Sequence, residues 1–487
     1  MSYSKFREKW FPRPDPRTPV TPEAIEHIED GVARAHQAID GRLGEAMLNA
    51  TYAPIGLQEL KPPQGWGFTT LAVPRIFRDA SGRVYVDLDL SSLMPPLGIV
   101  YYVSPTGPSG ADGKTPATAT SLPSALAKAD VGTIIALPGE YFRNSHTLPV
   151  VAKTIRIVGS GPNVYLTGFE LPSALTWTLE SGNIYKTTRA NANGVTDKRT
   201  AFPNAYGDFH WYQQKADLAS ITGPGQWAAV GSTVYVWPVG NANLVTDASF
   251  MRVSLTTGSS VVNVNGPSLV YLEGVNIEGG GGPTVSPLGA FSSGGVGGVP
   301  RLLAVDCTIK YAPTNGLSVT GALWSIMVRC GIAYTGNDGF NYHSGTLGGT
   351  TYRPDVVEID CWSYATGLHS TVETQNGTTA HDGISILRVN GRHWDSMGPI
   401  IADDSGAKAW NIGMEPGKSL AATRFWPYAA TAGAEQWLEE CKVTEPVVGR
   451  ASLYADSTSK IHHRRIRTKS MLGASKLVFD SAVIDTY

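Results

Sequence analysis

The phrase LAVDC, Leu303 to Cys307, has several relatives further along the chain. Two or three alternating apolar residues, a polar or charged residue, then Cys or Gly recur at Ile326 to Cys330 (IMVRC), Val357 to Cys361 (VEIDC) and Leu387 to Gly391 (LRVNG). A looser copy stands at Trp437 to Cys441 (WLEEC), and Tyr271 to Gly274 (YLEG) is a shorter echo. The first four lie 23, 31 and 30 residues apart. Short alternating strands repeating at that period predict a β-solenoid in which each copy belongs to one coil.

In such a solenoid, strands of successive coils stack about 4.8 Å apart and alternate side chains enter a narrow core. Alternation puts Val305, Cys307 and Ile309 on one inward face, with Val328, Cys330 and Ile332, and then Ile359 and Cys361, above them. The cysteines should therefore form an internal column, where a small apolar side chain fits. Asp306, Arg329, Asp360 and Asn390 then face outward as a structural ladder, each opposite-charge pair contributing a few tenths to about 1 kcal/mol.

The composition agrees with turn-rich β structure: of 487 residues only 16% are charged, while 54 are Gly and 32 are Pro. A net charge of -2 offers no electrostatic footprint for nucleic acid or an anionic membrane, and points to a neutral or sparsely charged partner. No apolar run approaches the roughly 18 residues of a membrane span, and MSYSKFREKW has no signal-peptide core. The four cysteines fit neither a zinc ribbon nor a disulfide framework, although stacked cysteines leave a bridge as the alternative. No motif for a metal or cofactor appears.

Residues 1–50 form an N-terminal segment with a helix expected over 21–48. Thr21-Pro22-Glu23 is an N-terminal signal, and Ile25, Ile28, Val32, Ala35 and Ile39 follow a 3-4-3-4 spacing. Isoleucine in such a seam favours trimers; a single helix lying on a neighbouring protein is the equal alternative. Residues 51–97 read as a small β neck or linker. From 98 to 487 the solenoid is expected, opened by an apolar helix at SLPSALAKA that caps its first coil. It is interrupted by an aromatic-rich β excursion at about 170–250 and a Gly-rich loop at 279–298.

Two segments resemble known families. TPEAIEHIEDGVARA, Thr21 to Ala35, resembles the short N-terminal helix of phage tail fibres and baseplate-bound tail proteins, with His27-Ile28-Glu29-Asp30-Gly31-Val32 following the common core and Ile25-Glu26 departing from it. YYVSPTGPSGADGKTPATATSLPSALAKA, continued by GTIIALPGEY, looks like the opening of pectate-lyase-like right-handed parallel β-helix proteins, including phage tailspikes. Pro224 to Pro238 (PGQWAAVGSTVYVWP) is similar to a strand pair found in many of them. Together the resemblances imply a homotrimeric tail protein of the virion, made in the host cytoplasm without a signal peptide. Its N-terminal residues 1–50 would be anchored to other tail or baseplate proteins, and its β-helical body would meet bacterial surface polysaccharide.

The polar text between 337 and 411 is where chemistry could sit. Aligning coils on Gly316, Gly339, Gly367 and Gly398 makes Ser318, Asn341, His369 and Ile400 one outward row and Thr320, His343, Thr371 and Ala402 a second. A patch then centres on Asn341, His343 and His369, with Asp338 below and Glu373 and Asp382 at its border. Coil spacing would set carboxylate spacing: about 5 Å for acids one coil apart, near the retaining distance, and about 9 to 10 Å for two coils, near the inverting one. A lyase would instead need His or Lys beside a uronate neutralised by Arg or a cation. Asp338-Gly339, His381-Asp382-Gly383 and Asp403-Asp404-Ser405-Gly406 also read as ordinary turns.

The expected fold is thus an all-β, right-handed parallel β-helix of roughly a dozen coils, probed by three functional readings. The first is a tailspike that binds and cleaves polysaccharide, as a glycoside hydrolase or a lyase. Asp338, Glu373 and Asp382 would be its carboxylates, with His343, His369 and His381 assisting. The second is a non-catalytic receptor-binding fibre using Asn341 on that face and Trp211, Tyr212 and Trp227 to stack on sugars. The third is a purely structural tail component.

Overall fold

The computed structural model describes residues 57–142, 149–255, 261–280, 291–294, 299–444, 451–468, 476–478 and 483–486. The helix expected over 21–48, its trimer seam and most of the Gly-rich loop lie outside these residues. The chain divides into two compact units, 1–60 with 77–81, and 61–76 with 82–487. In the first, Arg78 donates from Nε and Nη2 to Gln58 Oε1 at 3.0 and 2.7 Å.

The second unit is a parallel β-solenoid of about eleven turns with almost no helix. Three long sheets run its length, of twelve, ten and eight strands, built by parallel in-register stacking of successive coils. The helix Leu122–Lys128 is capped by Ser121 Oγ, which accepts from Ser124 N, and buries Leu122, Ala125 and Leu126 in the core of the first coils. Residues 170–255 leave the coil rhythm and form a five-stranded and a three-stranded sheet with their own core around Trp177, Tyr212 and Trp227. The solenoid rejoins itself across this excursion, because Leu269–Glu273 pairs directly with Thr154–Gly159.

The recurring phrase is the corner between the twelve-stranded and the eight-stranded sheets. Its polar residue lies in the left-handed region in every copy: φ is 52° at Asp306, 50° at Arg329, 53° at Asp360, 55° at Asn390 and 53° at Glu440. Asp and Asn tolerate that conformation better than most side chains, which accounts for three of the five. The left-handed residue also interrupts the strand alternation, and this corrects the inward face read from sequence. Ala304 and Met327 share the core with Cys307, Cys330 and Cys361, while Val305, Val328 and Ile359 lie outside that cluster. The outward ladder does form, with Arg329 Nη2 2.7 Å from Asp306 Oδ2.

All four cysteines are free and buried. Three thiols donate to a carbonyl of the preceding coil: Cys330 to Ala304 O, Cys361 to Met327 O and Cys441 to Asn411 O, each at 3.4 Å. Burial pushes the Cys330 and Cys361 thiols up, so they are poor nucleophiles. A thiol reagent should accordingly titrate almost nothing in the native protein and four thiols after unfolding without reductant. Fewer than four would mean a bridge.

Residues 61–76 and 82–97, expected as a neck, run along the outer face of the twelve-stranded sheet. That face carries a second apolar row, Leu303, Ile326, Val357, Leu387 and Trp410, each at most 1% exposed. Trp66 packs edge-on against Trp410 with ring centroids 5.3 Å apart and donates Nε1 to both Ile386 O and Lys408 O at 3.2 Å. The N–H groups of Thr69, Thr70 and Leu71 converge on the buried Asp355 carboxylate. Further along, Arg156 Nε donates to Pro95 O. Backbone groups that a free linker would leave to water are satisfied by the solenoid wall.

Inside the solenoid, between the sheets, sits a charged cluster. Arg388 is fully buried; its Nη2 and Nη1 donate to the two oxygens of Asp403 at 2.8 and 3.1 Å, and Nη1 also reaches Asn411 Oδ1. Arg388 Nε donates to Thr378 Oγ1, whose hydroxyl donates to Glu358 Oε1 at 2.8 Å. Gln436 Nε2 donates to Asp403 Oδ2 at 2.7 Å. The cluster fixes the strand Ile401–Asp403, whose next residue, Asp404, faces outward.

Candidate active site on the ten-stranded sheet

The outer face of the ten-stranded sheet carries two columns of side chains. In register, Asn341, Thr379, Ala402, Ala429 and Tyr454 form the first. One residue beyond the paired stretches, with the period of two from the first column, come His343, His381, Asp404, Thr431 and Asp456. Both columns line a groove of about 550 Å³, walled by Asp338, Gln375, Asn376, Arg424 and Trp426.

This register differs from the alignment on Gly367 and Gly398. Gly339 is matched by Gly377, whose carbonyl accepts from Phe340 N, and then by Ile400, whose carbonyl accepts from Thr378 N. Residues 367–376 are a loop inserted before that coil's strand. The close stacking explains the small residue: a Cβ on Gly339 would come within 2.4 Å of Gly377 O. Thr379 and His381, not His369 and Thr371, therefore stand above Asn341 and His343.

Two histidine–carboxylate pairs stand on adjacent turns. His343 Nδ1 is 3.1 Å from Asp382 Oδ2, and His381 Nδ1 is 2.7 Å from Asp404 Oδ1. The two imidazoles stack face to face, with centroids 4.1 Å apart and planes 5° from parallel. Burial and the neighbouring His381 charge lower the pKa of His343. Burial also opposes charge on His381, but its hydrogen bond to Asp404 and the surrounding carboxylates carry its pKa above the usual value. Asp404 is in turn held below the ordinary carboxylate range, because His381 outweighs the effect of burial. The stack thus sets side by side two rings whose proton affinities are shifted in opposite directions.

Asp338 lies across the groove and is differently placed. It is 8% exposed; Oδ1 accepts from Asn376 N and Oδ2 from Asn341 Nδ2, both at 2.6 Å. Burial nevertheless dominates and pushes its carboxyl up to about 6, with the two hydrogen bonds and the His381 charge opposing. Asp338 and Asp404 lie within each other's field, one driven toward the protonated form and the other toward the ionised form.

The other residues singled out from sequence go elsewhere. Asp382 orients His343 and accepts from Ser344 N at 3.3 Å, but does not line the groove. Glu373 is a loop clip: its carboxylate accepts the N–H groups of Ala422, Thr423 and Arg424 at 2.8, 2.7 and 3.1 Å and the Thr423 hydroxyl. These bonds, the Thr423 hydroxyl first, pull its pKa down to about 2. His369 packs on Trp211, centroids 4.7 Å apart, and burial lowers its pKa to about 4. Trp211, Tyr212 and Trp227 are 8%, 1% and 1% exposed: Tyr212 and Trp227 fill the excursion's interior, while Trp211 packs in a cluster with Tyr311, Tyr334 and Tyr364 of the solenoid, so none offers an open ring face. An aromatic pair instead borders the groove, where Trp426 and Tyr454 stack with centroids 3.8 Å apart and planes 15° from parallel. Arg424 beside it is exposed, and Asp456 accepts from Tyr454 Oη and Ala432 N.

Sequence reading missed Asp404 as a groove residue, along with Arg424, Trp426, Tyr454 and Asp456. The signal for Asp404 was available as the continuation of the His343–His381 column, once Gly377 is taken as the corner. Because Glu373 ties the loop 367–376 to residues 422–424, Glu373→Gln should leave the fold intact and loosen both loops. Faster hydrogen exchange confined to 367–376 and 420–426 would show it.

No family model matches the chain, and no curated protein matches it. Among solved structures it is similar to a protein described as a glycoside hydrolase, with 11% identity, TM-score 0.50, and 79% of this chain and 96% of that one covered. Pectate lyase Pel9A aligns over 81% of this chain and 80% of its own at 10% identity and TM-score 0.36. The receptor-binding domain of the siphovirus 9NA tailspike aligns over 79% and 76% at 7% identity and TM-score 0.30. At these identities the likeness reaches the fold alone, a parallel β-solenoid.

Proposed function

We propose that the groove binds a polysaccharide and hydrolyses a glycosidic bond within it. The observation that carries this reading is the pair Asp338 and Asp404, two carboxyl groups facing one groove with their proton affinities driven apart. Asp338 gives its proton to the departing glycosidic oxygen. Asp404, held by His381, takes a proton from the water that adds to the anomeric carbon, so one chain becomes two and the base ends protonated. The two residues belong to coils two turns apart, a rise of about 9 to 10 Å. Carboxyl groups about 9 to 10 Å apart leave room for a water and go with inversion, those about 5 Å apart with retention. The Trp426–Tyr454 stack supplies a platform for a sugar face.

A lyase is the second reading, favoured by His343, whose lowered pKa suits a base, and by Arg424 in the wall to balance a uronate carboxylate. In either case the chain serves as the body of a homotrimeric phage tailspike, attached to the virion through residues 1–50. The Thr21 to Ala35 and Tyr101 to Tyr141 resemblances support that role. Binding without cleavage would make it a receptor-binding fibre.

The test is to incubate the protein with polygalacturonate, alginate, dextran and purified bacterial capsular polysaccharides, and to follow polymer size by chromatography. Shortening without the ultraviolet absorbance of unsaturated uronate ends supports hydrolysis, and shortening with it supports the lyase. Polymers that stay intact and co-elute with the protein would leave only binding.

A further inference from the structure

Two buried acceptors flank Asp338 and have no partner among the described residues. Asn341 is 4% exposed and turns its Nδ2 to Asp338, which leaves Asn341 Oδ1 unpaired. Asn376 is 8% exposed; its backbone N–H is spent on Asp338, and its side-chain Oδ1 is also unpaired. Both residues line the groove with Asp338. Buried polar atoms are almost always paired, so two lone acceptors beside one carboxyl group call for donors from outside the chain. Rotating the Asn341 amide would not relieve this, because its oxygen would then face the Asp338 carboxyl in place of the 2.6 Å bond.

We infer that the sugar unit held beside Asp338 presents two free hydroxyls, donated to Asn341 Oδ1 and Asn376 Oδ1. This rests on the reading of the groove as a glycan site and adds the substrate class. A carboxylate, a sulfate or an etherified oxygen cannot donate, and would set further negative charge or lone pairs against two carbonyl dipoles and Asp338. A site whose buried groups are built for a hydroxyl rejects analogues that lack it far more strongly than an apolar pocket could.

The probe is whichever polymer of the panel above the wild-type protein cleaves or retains, used native and with its hydroxyls partly O-methylated, which removes donors and keeps the backbone. Equilibrium binding is measured for wild type, Asn341→Ala and Asn376→Ala, each first checked for native circular dichroism and melting. Wild type should bind the methylated polymer at least tenfold more weakly. Each variant should lose about tenfold for the native polymer and part of its preference over the methylated one. Equal wild-type affinity for both polymers, or an undiminished preference in folded variants, would overturn the inference while leaving the groove's function standing. No binding or cleavage of any panel polymer would remove both. Should one variant fail to fold, the wild-type comparison and the other variant still decide.

Discussion

Asp338→Asn should lower polysaccharide cleavage by about 10²–10⁴-fold while sparing glycan binding, since it removes the transferable proton and leaves the groove's shape. Rate measurements on the wild type should show activity falling as pH rises past about 6, where the buried carboxyl ionises. The variant's residual activity should lack that limb. The same shift acts on stability. The folded pKa of Asp338 is raised from 3.8 to about 6, so the native state holds the proton more tightly than the unfolded chain. Its favourable contribution is complete below the unfolded pKa and is lost as pH rises through about 6, an effect on the order of 3 kcal/mol. In the Asn variant, unfolding measured between pH 4 and 7 should be flatter by that amount. An unchanged rate for Asp338→Asn would end its assignment as the acid.

Arg388→Ala should destabilise the solenoid by about 3–5 kcal/mol, the cost of leaving Glu358 and Asp403 buried without their cation. The variant's denaturation midpoint should fall more at neutral than at acid pH. Burial already raises the pKa of Glu358, with Arg388 as the largest opposing influence. Without the guanidinium, that carboxyl gains stability only when protonated, a contribution lost as pH rises through its elevated pKa. Adding Asp403→Asn should recover part of the loss, as coupled partners do. Equal midpoints for Arg388→Ala and the wild type would show that the cluster contributes nothing to the fold.

Strand rhythm and the Cys column follow from local chemistry: alternation, small buried side chains and a polar corner residue repeat visibly in LAVDC and its relatives. The parity across that corner did not, because a left-handed residue such as Arg329 carries no compositional mark and displaces the core face from Val328 to Met327. The groove was legible at Asp338, Asn341, His343 and His381, which the strand register brings together. It was masked at Asp404, whose Asp-Asp-Ser-Gly text is also a turn and whose column shows only once Gly377 is taken as the corner, and it misled at Glu373, whose isolation from any turn suggested chemistry but which ties two loops by three backbone N–H groups. Aromatic density misled for a physical reason: Trp227 and Tyr212 build the core that an eighty-residue excursion needs. Trp426 and Tyr454, distant in sequence, become a stacking pair only when neighbouring coils meet.

The measurement closest to the central claim is a crystal structure of Asp338→Asn soaked with the oligosaccharide released by the wild type. A sugar chain running from Asn341 and Asp404 to the Trp426–Tyr454 platform is the predicted result. Oligosaccharide bound only on another face, with the ten-stranded groove empty, would contradict it.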